Sequence, residues 1–181
     1  MLRRLLAVLL FVSACLAVAR AEPIAPRDAM THFFDQSFFD LREEAAMAKN
    51  EGKQAIFVMF ADEECPWCHK MKTTVMNQVR VQEYYHQHFR ILHIDTRGDQ
   101  SITNFDGKEM TQKDFAFKVH RVRATPVFIF FDAQGKVLYR HTGVTRDPEE
   151  FLWLAEFVVS GAHAKGNFSV YKRERRAVQT R

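Results

Sequence analysis

Hydrophobic and polar residues follow one another along this chain in an order that predicts alternating strands and helices. Apolar residues dominate 54–60 and 126–131, which is typical of buried strands. Residues 90–96 alternate between apolar and polar positions, which predicts a strand with two different faces. Residues 136–142 follow a turn at Gly135 and therefore predict a hairpin partner for the strand before it.

Apolar residues recur with helical spacing between these strands and after the last of them. The predicted helices cover residues 40–50, 66–88, 111–120 and 147–160, and a polar, turn-rich segment covers 98–110. The last helix has the clearest start, because Asp147 can cap its first turn and Pro148 is tolerated at the first helical position. This order of elements predicts an α/β domain.

Length and composition fit one domain and argue against one class of function. The chain has 181 residues, of which 47% are hydrophobic and 17 are Phe, so it has enough apolar material for one core. Its formal net charge is +4, but the basic excess lies at the two ends, and residues 22–164 are mildly acidic. A mildly acidic body gives no support for nucleic-acid binding, and we expect no nucleic-acid partner.

Residues 1–21 predict a cleaved signal peptide. Two arginines form a basic start, an apolar stretch follows, and Ala19-Arg20-Ala21 matches the small-x-small cleavage pattern. The apolar stretch is shorter than the about 20 residues that a membrane-spanning helix needs. We therefore expect an exported, periplasmic protein with one folded domain over 22–164 and a basic, disordered tail over 165–181.

An alternative for the same N-terminal segment is a lipid anchor. Val12-Ser13-Ala14-Cys15 resembles a bacterial lipobox, in which Cys15 would carry the lipid and hold the protein at the membrane. The residues after Cys15 stay apolar, where a lipoprotein would have a polar tether, so we prefer cleavage after Ala21. Cys15 would then be removed with the leader.

The candidate chemistry lies in Cys65-Pro66-Trp67-Cys68, between the strand over 54–60 and the helix that follows it. A helix N-terminus directs free N–H groups and a positive dipole at the first sulfur, which favours the thiolate that attacks disulfides. A purely structural bridge is the plain alternative for an exported protein. It would stabilise weakly, because so short a loop constrains the unfolded chain very little. We therefore expect a redox-active pair.

Two cofactor alternatives use the same residues. Cys65 and Cys68 followed by His69 match the c-type haem attachment pattern, in which both cysteines form thioethers and the histidine binds iron. The same three side chains could hold copper or zinc, although the sequence has no second ligand pair with the spacing of a structural zinc site. Because the motif stands between a buried strand and a long helix, we expect no haem and no metal.

A second motif completes a resemblance to a known family. Thr125-Pro126 stands just before the third core strand, and together with the Cys-x-x-Cys after the first core strand it makes residues 33–160 resemble the thioredoxin family. The resemblance implies a thioredoxin fold, with a central mixed β-sheet flanked by helices, and a cis peptide bond at Pro126 that faces the disulfide. It also implies that Pro66, Trp67, Thr125 and Pro126 support the reaction of the dithiol.

The resemblance also implies an activity. Cys65 attacks a disulfide of another protein and Cys68 resolves the mixed disulfide, so both are catalytic residues of a protein-disulfide oxidoreductase that needs no cofactor. The polar insertion with Asn104-Phe105-Asp106-Gly107 is most similar to the periplasmic thioredoxins of the bacterial sulfur-oxidation system, the SoxW type. That likeness implies a reductant of disulfide-bearing periplasmic proteins, recharged by a transmembrane thiol–disulfide carrier. The alternative within the family is a disulfide oxidant or isomerase.

The chain departs from the family pattern at Met59. Many thioredoxins carry a buried Asp six residues before the first cysteine, where it relays a proton for the second cysteine, and here that position holds Met59. Glu63 is the acid that we would test as a replacement relay, although the acidic run 62–64 also fits a solvated loop. The sequence leaves the identity of the relay open.

Overall fold

The computed structural model describes residues 25–179, and its helices and strands follow the predicted order. The helices are α1 (Ala29–His32), α2 (Leu41–Asn50), α3 (Pro66–Thr74), α4 (Val79–His88), α5 (Gln112–Asp114), α6 (Pro148–Val159) and α7 (Phe168–Gln179). The strands are β1 (Ala55–Ala61), β2 (Phe89–Asp95), β3 (Ser101–Thr103), β4 (Glu109–Thr111), β5 (Val127–Phe131) and β6 (Val137–Thr142). A π-helix (Phe115–Val119) continues α5, and a 3-10 helix (Ala162–Ala164) follows α6. The predicted signal peptide 1–21, with Cys15, lies outside the described residues.

Four of these strands form a mixed sheet in the order β2-β1-β5-β6. β1 and β2 run parallel, whereas β5 runs antiparallel to both β1 and β6. β1 and β5 are buried along their whole length, because they lie in the centre of the sheet and helices cover both faces. The predicted mixed sheet flanked by helices is therefore confirmed.

The sheet separates two apolar cores. One face carries Phe57, Met59 and Ile91 together with Cys65 and Cys68, and we call it the cysteine face. The other, called the opposite face, carries alternate residues of the same strands: Ile56, Val58, Phe60, Leu92 and Ile94. Residues of α3, α4 and α6 pack on the cysteine face, and residues of α2 and the π-helix pack on the opposite face. The two-residue period of a strand produces this separation, and it confirms the predicted alternation over 90–96.

The predicted helix over 66–88 is two helices in the structure, α3 and α4, which corrects the prediction. The side-chain amide of Asn77 donates a hydrogen bond to the backbone carbonyl oxygen of Thr73. A continuous helix would use that oxygen for the backbone N–H of Asn77, so the side chain competes with the helix. The break lets Val75 and Met76 both enter the core of the cysteine face.

The polar segment over 98–110 contains structure that periodicity did not predict. β3 and β4 form a separate antiparallel hairpin in which Ile102 lies opposite Met110. Strands of three residues are too short to show a pattern in the sequence. Phe105, between them, packs over Gly135, where an added Cβ would lie 2.3 Å from the Phe105 ring, so this position requires glycine.

The segment 165–181, predicted as a disordered tail, instead contains α7, which is a second correction. Its Phe168 is buried in the core of the cysteine face, and Lys172 and Arg176 form ion pairs with the buried Glu150 of α6. The high positive charge of this segment is typical of a disordered tail. The helix was not predicted, because the Glu150 carboxylate that pairs with its basic side chains lies in α6. Among the described residues, no helix is long and apolar enough to cross a membrane.

Candidate active site

The loop after β1 brings Cys65 to the start of α3, where it is the N-cap residue. Its backbone is extended, and its Sγ accepts a hydrogen bond from the backbone N–H of Cys68 at 3.0 Å. Pro66 occupies the first turn of the helix, where its missing N–H costs nothing and its fixed φ suits the helix. The sulfur of Cys65 therefore lies at the positive end of the helix dipole, which stabilises a thiolate.

Cys65 and Cys68 form a disulfide in this structure. Cys65 is 7% exposed, whereas Cys68, one turn into the helix, is 0% exposed, so an incoming sulfur has access to Cys65 first. Because the two sulfurs are bonded to each other, neither is free in this state for the thioether or metal bonds considered above. His69, the third residue of those alternatives, is exposed. Within residues 25–179, no three His, Cys, Asp or Glu side chains are grouped as ligands for a metal ion.

A groove of about 230 Å³ adjoins the disulfide motif. It is lined by Trp67, Thr125, Pro126, Gly143 and Val144. Trp67 is 55% exposed, which is unusual for so large an apolar side chain. The Thr125–Pro126 peptide bond is cis, as the resemblance implies. The structure thus brings the Cys-x-x-Cys tryptophan and the Thr-Pro pair into one apolar groove, although they lie far apart in the sequence.

A side-chain hydrogen bond joins the two loops that form this site. The hydroxyl Oγ1 of Thr125 donates to Oδ2 of Asp62 at 3.2 Å. Asp62 stands just before the disulfide motif, and Thr125 stands just before the cis proline, so the bond fixes one loop against the other. The acidic run 62–64 predicts a solvated loop and gives no sign of this bond. No local signal could have corrected this, because the partner lies on a distant loop.

Glu63, the predicted candidate for a proton relay, is exposed. Together with Glu64, Asp95 and Arg97 it lines a shallow pocket of about 140 Å³. Glu64 and Arg97 form an exposed ion pair there at 2.6 Å, which is a weak interaction in solvent. A relay for the buried Cys68 would have to lie inside the protein, so the exposed position of Glu63 gives the relay prediction no support, and it stays a prediction.

Sequence comparison identifies the family. The sequence profile of the thioredoxin-like domain matches residues 41–159, which is more than half of the chain and includes both cysteines and the Thr-Pro pair. The chain belongs to the thioredoxin-like domain family. No curated protein matches the chain in sequence.

Solved structures agree with this assignment. A thioredoxin-fold protein from Helicobacter pylori is 18% identical over 70% of this chain and 87% of its own, with a TM-score of 0.57. A DsbH oxidoreductase is 16% identical over 83% of this chain and 97% of its own, with a TM-score of 0.56. A thioredoxin from Thermus thermophilus is 24% identical over 71% and 91%, with a TM-score of 0.53. At these identities the likeness shows the thioredoxin fold, which confirms the predicted fold class.

A histidine lies beside Met59, the position at which many thioredoxins carry a buried Asp. Met59 is fully buried, and its partner across the parallel strands β1 and β2 is His93. Burial, together with the positive charge of Lys72, lowers the pKa of His93 to about 4, against an opposing effect of Asp95. The imidazole is therefore neutral at neutral pH. Sequence alternation places His93 on this face but gives no sign of what lies around it.

Proposed function

We propose that this protein is an exported thiol–disulfide oxidoreductase that reduces disulfides of periplasmic proteins through Cys65 and Cys68. The observation that carries the proposal is a disulfide at the N-cap of α3, next to an apolar groove formed by Trp67, Thr125 and Pro126. A purely structural disulfide has no need for an adjoining open groove. A redox-active one needs a surface on which the partner chain can lie.

In the reduced protein, Cys65 is the attacking residue. Its thiolate is stabilised by the helix N-terminus and attacks a sulfur of the partner disulfide, which releases one partner thiolate and leaves a mixed disulfide. Cys68 is buried one turn further and waits beside the mixed disulfide. Its thiolate then attacks Cys65 Sγ, which releases the second partner thiolate and forms the disulfide seen here. Two electrons pass from the dithiol to the partner.

The groove holds the partner chain during these two steps. Trp67 offers an exposed aromatic surface on the motif side, and Thr125 and Pro126 form the other wall. The hydrogen bond from Thr125 to Asp62 holds the two loops that form these walls in a fixed relative position. We expect Pro66 and Trp67 to affect the rate and the partner preference, whereas Cys65 and Cys68 carry the bond exchange.

The direction of electron flow and the location are further parts of the proposal. The polar insertion at 104–107 supports a protein of the SoxW type, and such a reductant would receive electrons from a transmembrane thiol–disulfide carrier. The signal peptide over 1–21 supports export to the periplasm, and attachment through a lipid on Cys15 is the alternative. The reverse direction, oxidation or isomerisation of disulfides, is the competing function within the same fold.

A redox titration of the purified protein tests the proposed direction. The protein is equilibrated in buffers of defined dithiol–disulfide ratio, and the oxidised fraction of Cys65–Cys68 is measured by alkylation and mass spectrometry. A reductase predicts a potential near that of thioredoxin, about −270 mV, and a value near −120 mV would show a disulfide oxidant instead. A bound haem or stoichiometric copper after purification from a periplasm would contradict the whole proposal.

A further inference from the structure

The cysteine face carries a half-buried base that the mechanism above does not use. His93 lies on β2 with its ring packed edge-on against Phe34, at 5.1 Å between ring centres. Its Nε2 atom is inaccessible to solvent and has no hydrogen-bond partner among the described residues. A buried polar atom without a partner is costly, and native proteins keep few of them. The unpartnered Nε2 of His93 therefore points to a role other than packing.

The position of His93 relates it to Cys68. Its neighbour across the strand pair is Met59, and Met59 and Cys68 belong to the same apolar core. α3 packs on this face, and Lys72, one helical turn after Cys68, is near enough for its charge to act on the imidazole. Lys72 and Cys68 are four residues apart and therefore share one side of α3.

Two apolar side chains neighbour His93. Phe34, from the segment after α1, packs against the ring, and Met59 of β1 is the cross-strand partner of His93; neither can take up a proton. Two charged groups act on it, Lys72 from α3 and Asp95 from its own strand. In the oxidised protein the ring is neutral at neutral pH, because burial and Lys72 lower its pKa. A neutral imidazole is the form that can accept a proton.

We propose that His93 accepts the proton of the Cys68 thiol when Cys68 resolves the mixed disulfide, and so takes the place of the acid that is missing at Met59. The inference rests on the proposed function, because it assumes a reducing dithiol. The new thiolate on Cys68 and the imidazolium on His93 form a charge pair in an apolar core, and this attraction raises the affinity of His93 for the proton. The weak base of the resting state becomes a stronger one when the thiolate forms.

The S–H proton of Cys68 passes to Nε2 of His93, and the Cys68 thiolate attacks Sγ of Cys65 in the mixed disulfide. The bond between Cys65 and the partner sulfur breaks, the Cys65–Cys68 bond forms, and the partner leaves as a thiolate. The imidazolium then gives its proton to that leaving thiolate or to water, which restores neutral His93 beside the disulfide.

Titration of the histidines in the unaltered protein is the first test. The ring signals of His93 are followed by NMR against pH in the oxidised and in the dithiol-reduced protein. We expect one midpoint near pH 4 in the oxidised protein, and in the dithiol-reduced protein a second change of the His93 ring signals at the higher pH where Cys68 loses its proton, because interacting sites titrate together. His141 on β6, a half-buried histidine whose Nε2 also has no hydrogen-bond partner among the described residues, should show no such second change. Absence of the second change for His93 in the reduced protein would overturn the proposal.

Stopped-flow kinetics with a small aromatic disulfide, such as dithiobis-nitrobenzoate, is the second test. The first release of chromophore reports the attack by Cys65, and the second reports resolution by Cys68. We expect His93→Gln to slow the second release at least about tenfold at pH 7, to leave the first within about twofold and to make the second steeply dependent on pH. His141→Gln is the matched control and should leave both releases unchanged.

The outcomes separate the inference from the function on which it rests. An unaltered second release in a folded His93→Gln variant, with the pH profile of the parent, would overturn the role of His93 and leave the oxidoreductase function standing. Absence of both releases from the parent protein would overturn the function itself. If His93→Gln does not fold, the NMR titration of the parent protein decides the question alone.

Discussion

His93 on the cysteine face and His120 on the opposite face are half-buried histidines, and the Nε2 atom of each has no hydrogen-bond partner among the described residues. Burial is the main cause that lowers the pKa of each to about 4. His120 is enclosed by aromatic rings of the opposite face, with ring centres 4.5 Å from Phe115 and 5.1 Å from Phe131. His93 instead shares its face with the two cysteines.

The difference between the two faces shows that burial perturbs a histidine without making it functional. Both rings are neutral and desolvated, and their pKa values alone would nominate both as functional residues. What separates them is the neighbourhood of the two cysteines. On the opposite face the imidazole lies between aromatic rings, and on the cysteine face it lies on the side of the sheet that carries Cys68, whose thiol gives up a proton in the proposed mechanism.

The largest expected loss of stability follows from removal of a buried aromatic ring, and we expect it to be of similar size on both faces. Phe57 and Phe115 are almost completely buried, Phe57 among the rings of the cysteine face and Phe115 against Phe60 and His120. Removal of either ring leaves a cavity, so Phe57→Ala and Phe115→Ala should each lower the free energy of unfolding by about 3–5 kcal/mol. Urea denaturation measures both. A loss below about 1 kcal/mol for either variant would show that its face is not a packed core.

Acid should destabilise the protein through the half-buried histidines His93 and His120, one on each face. The pKa of His93 and that of His120 are about 4 in the folded protein, below the value of about 6.5 in an unfolded chain. The unfolded chain therefore binds more protons between these values. The stability from each neutral ring is fully present above about pH 6.5 and is lost as the pH falls through 4, on the order of 2–3 kcal/mol for each ring.

The variant His120→Phe tests this pH dependence. It should flatten the decline of the urea midpoint between pH 6.5 and pH 4, because one of the groups that take up protons on unfolding is gone. His32→Gln, at an exposed position of α1, is the matched control and should decline like the parent protein. An equal decline in His120→Phe would mean that this ring is already charged or solvated in the folded protein.

A smaller effect, a fall in kcat/KM, is expected when the hydrogen bond between the two loops of the candidate active site is removed. Asp62→Ala removes the acceptor of the Thr125 hydroxyl, and a hydrogen bond of this kind contributes about 0.5–1.5 kcal/mol. We expect a threefold to tenfold fall in kcat/KM for reduction of a protein disulfide, since about 1.4 kcal/mol corresponds to tenfold. Asp62→Asn keeps an oxygen acceptor and should remain within about twofold of the parent. If both variants behave like the parent, the bond does not position the groove.

The sequence predicted those parts of the molecule that local patterns determine. The apolar runs located β1 and β5, and the Asp147-Pro148 start located α6, whose Asp147 side chain indeed accepts the backbone N–H of Glu150. The Cys-x-x-Cys at the end of one strand and the Thr-Pro before another located the site. Each of these signals is contained in a few consecutive residues.

The remaining features depend on contacts between distant segments. α7 is held by Glu150, the two loops of the site are joined by Asp62 and Thr125, and His93 acquires its surroundings only when β2 lies beside β1 and beneath α3. No single window of sequence contains both members of any of these pairs. The break between α3 and α4 has both kinds of cause, because the Asn77 side chain bonds locally to the Thr73 carbonyl and Val75 and Met76 are buried in a core built by other elements.

The central claim is that Cys65 attacks and Cys68 resolves, and covalent trapping tests it most directly. Cys68→Ala and Cys65→Ala are each expressed with the signal peptide intact, free thiols are blocked, and the proteins are separated on a non-reducing gel. The account predicts that Cys68→Ala accumulates mixed disulfides with partner proteins, which disappear on reduction, whereas Cys65→Ala traps almost nothing. Equal trapping by both variants, or trapping by Cys65→Ala alone, would contradict the assigned roles and the mechanism built on them.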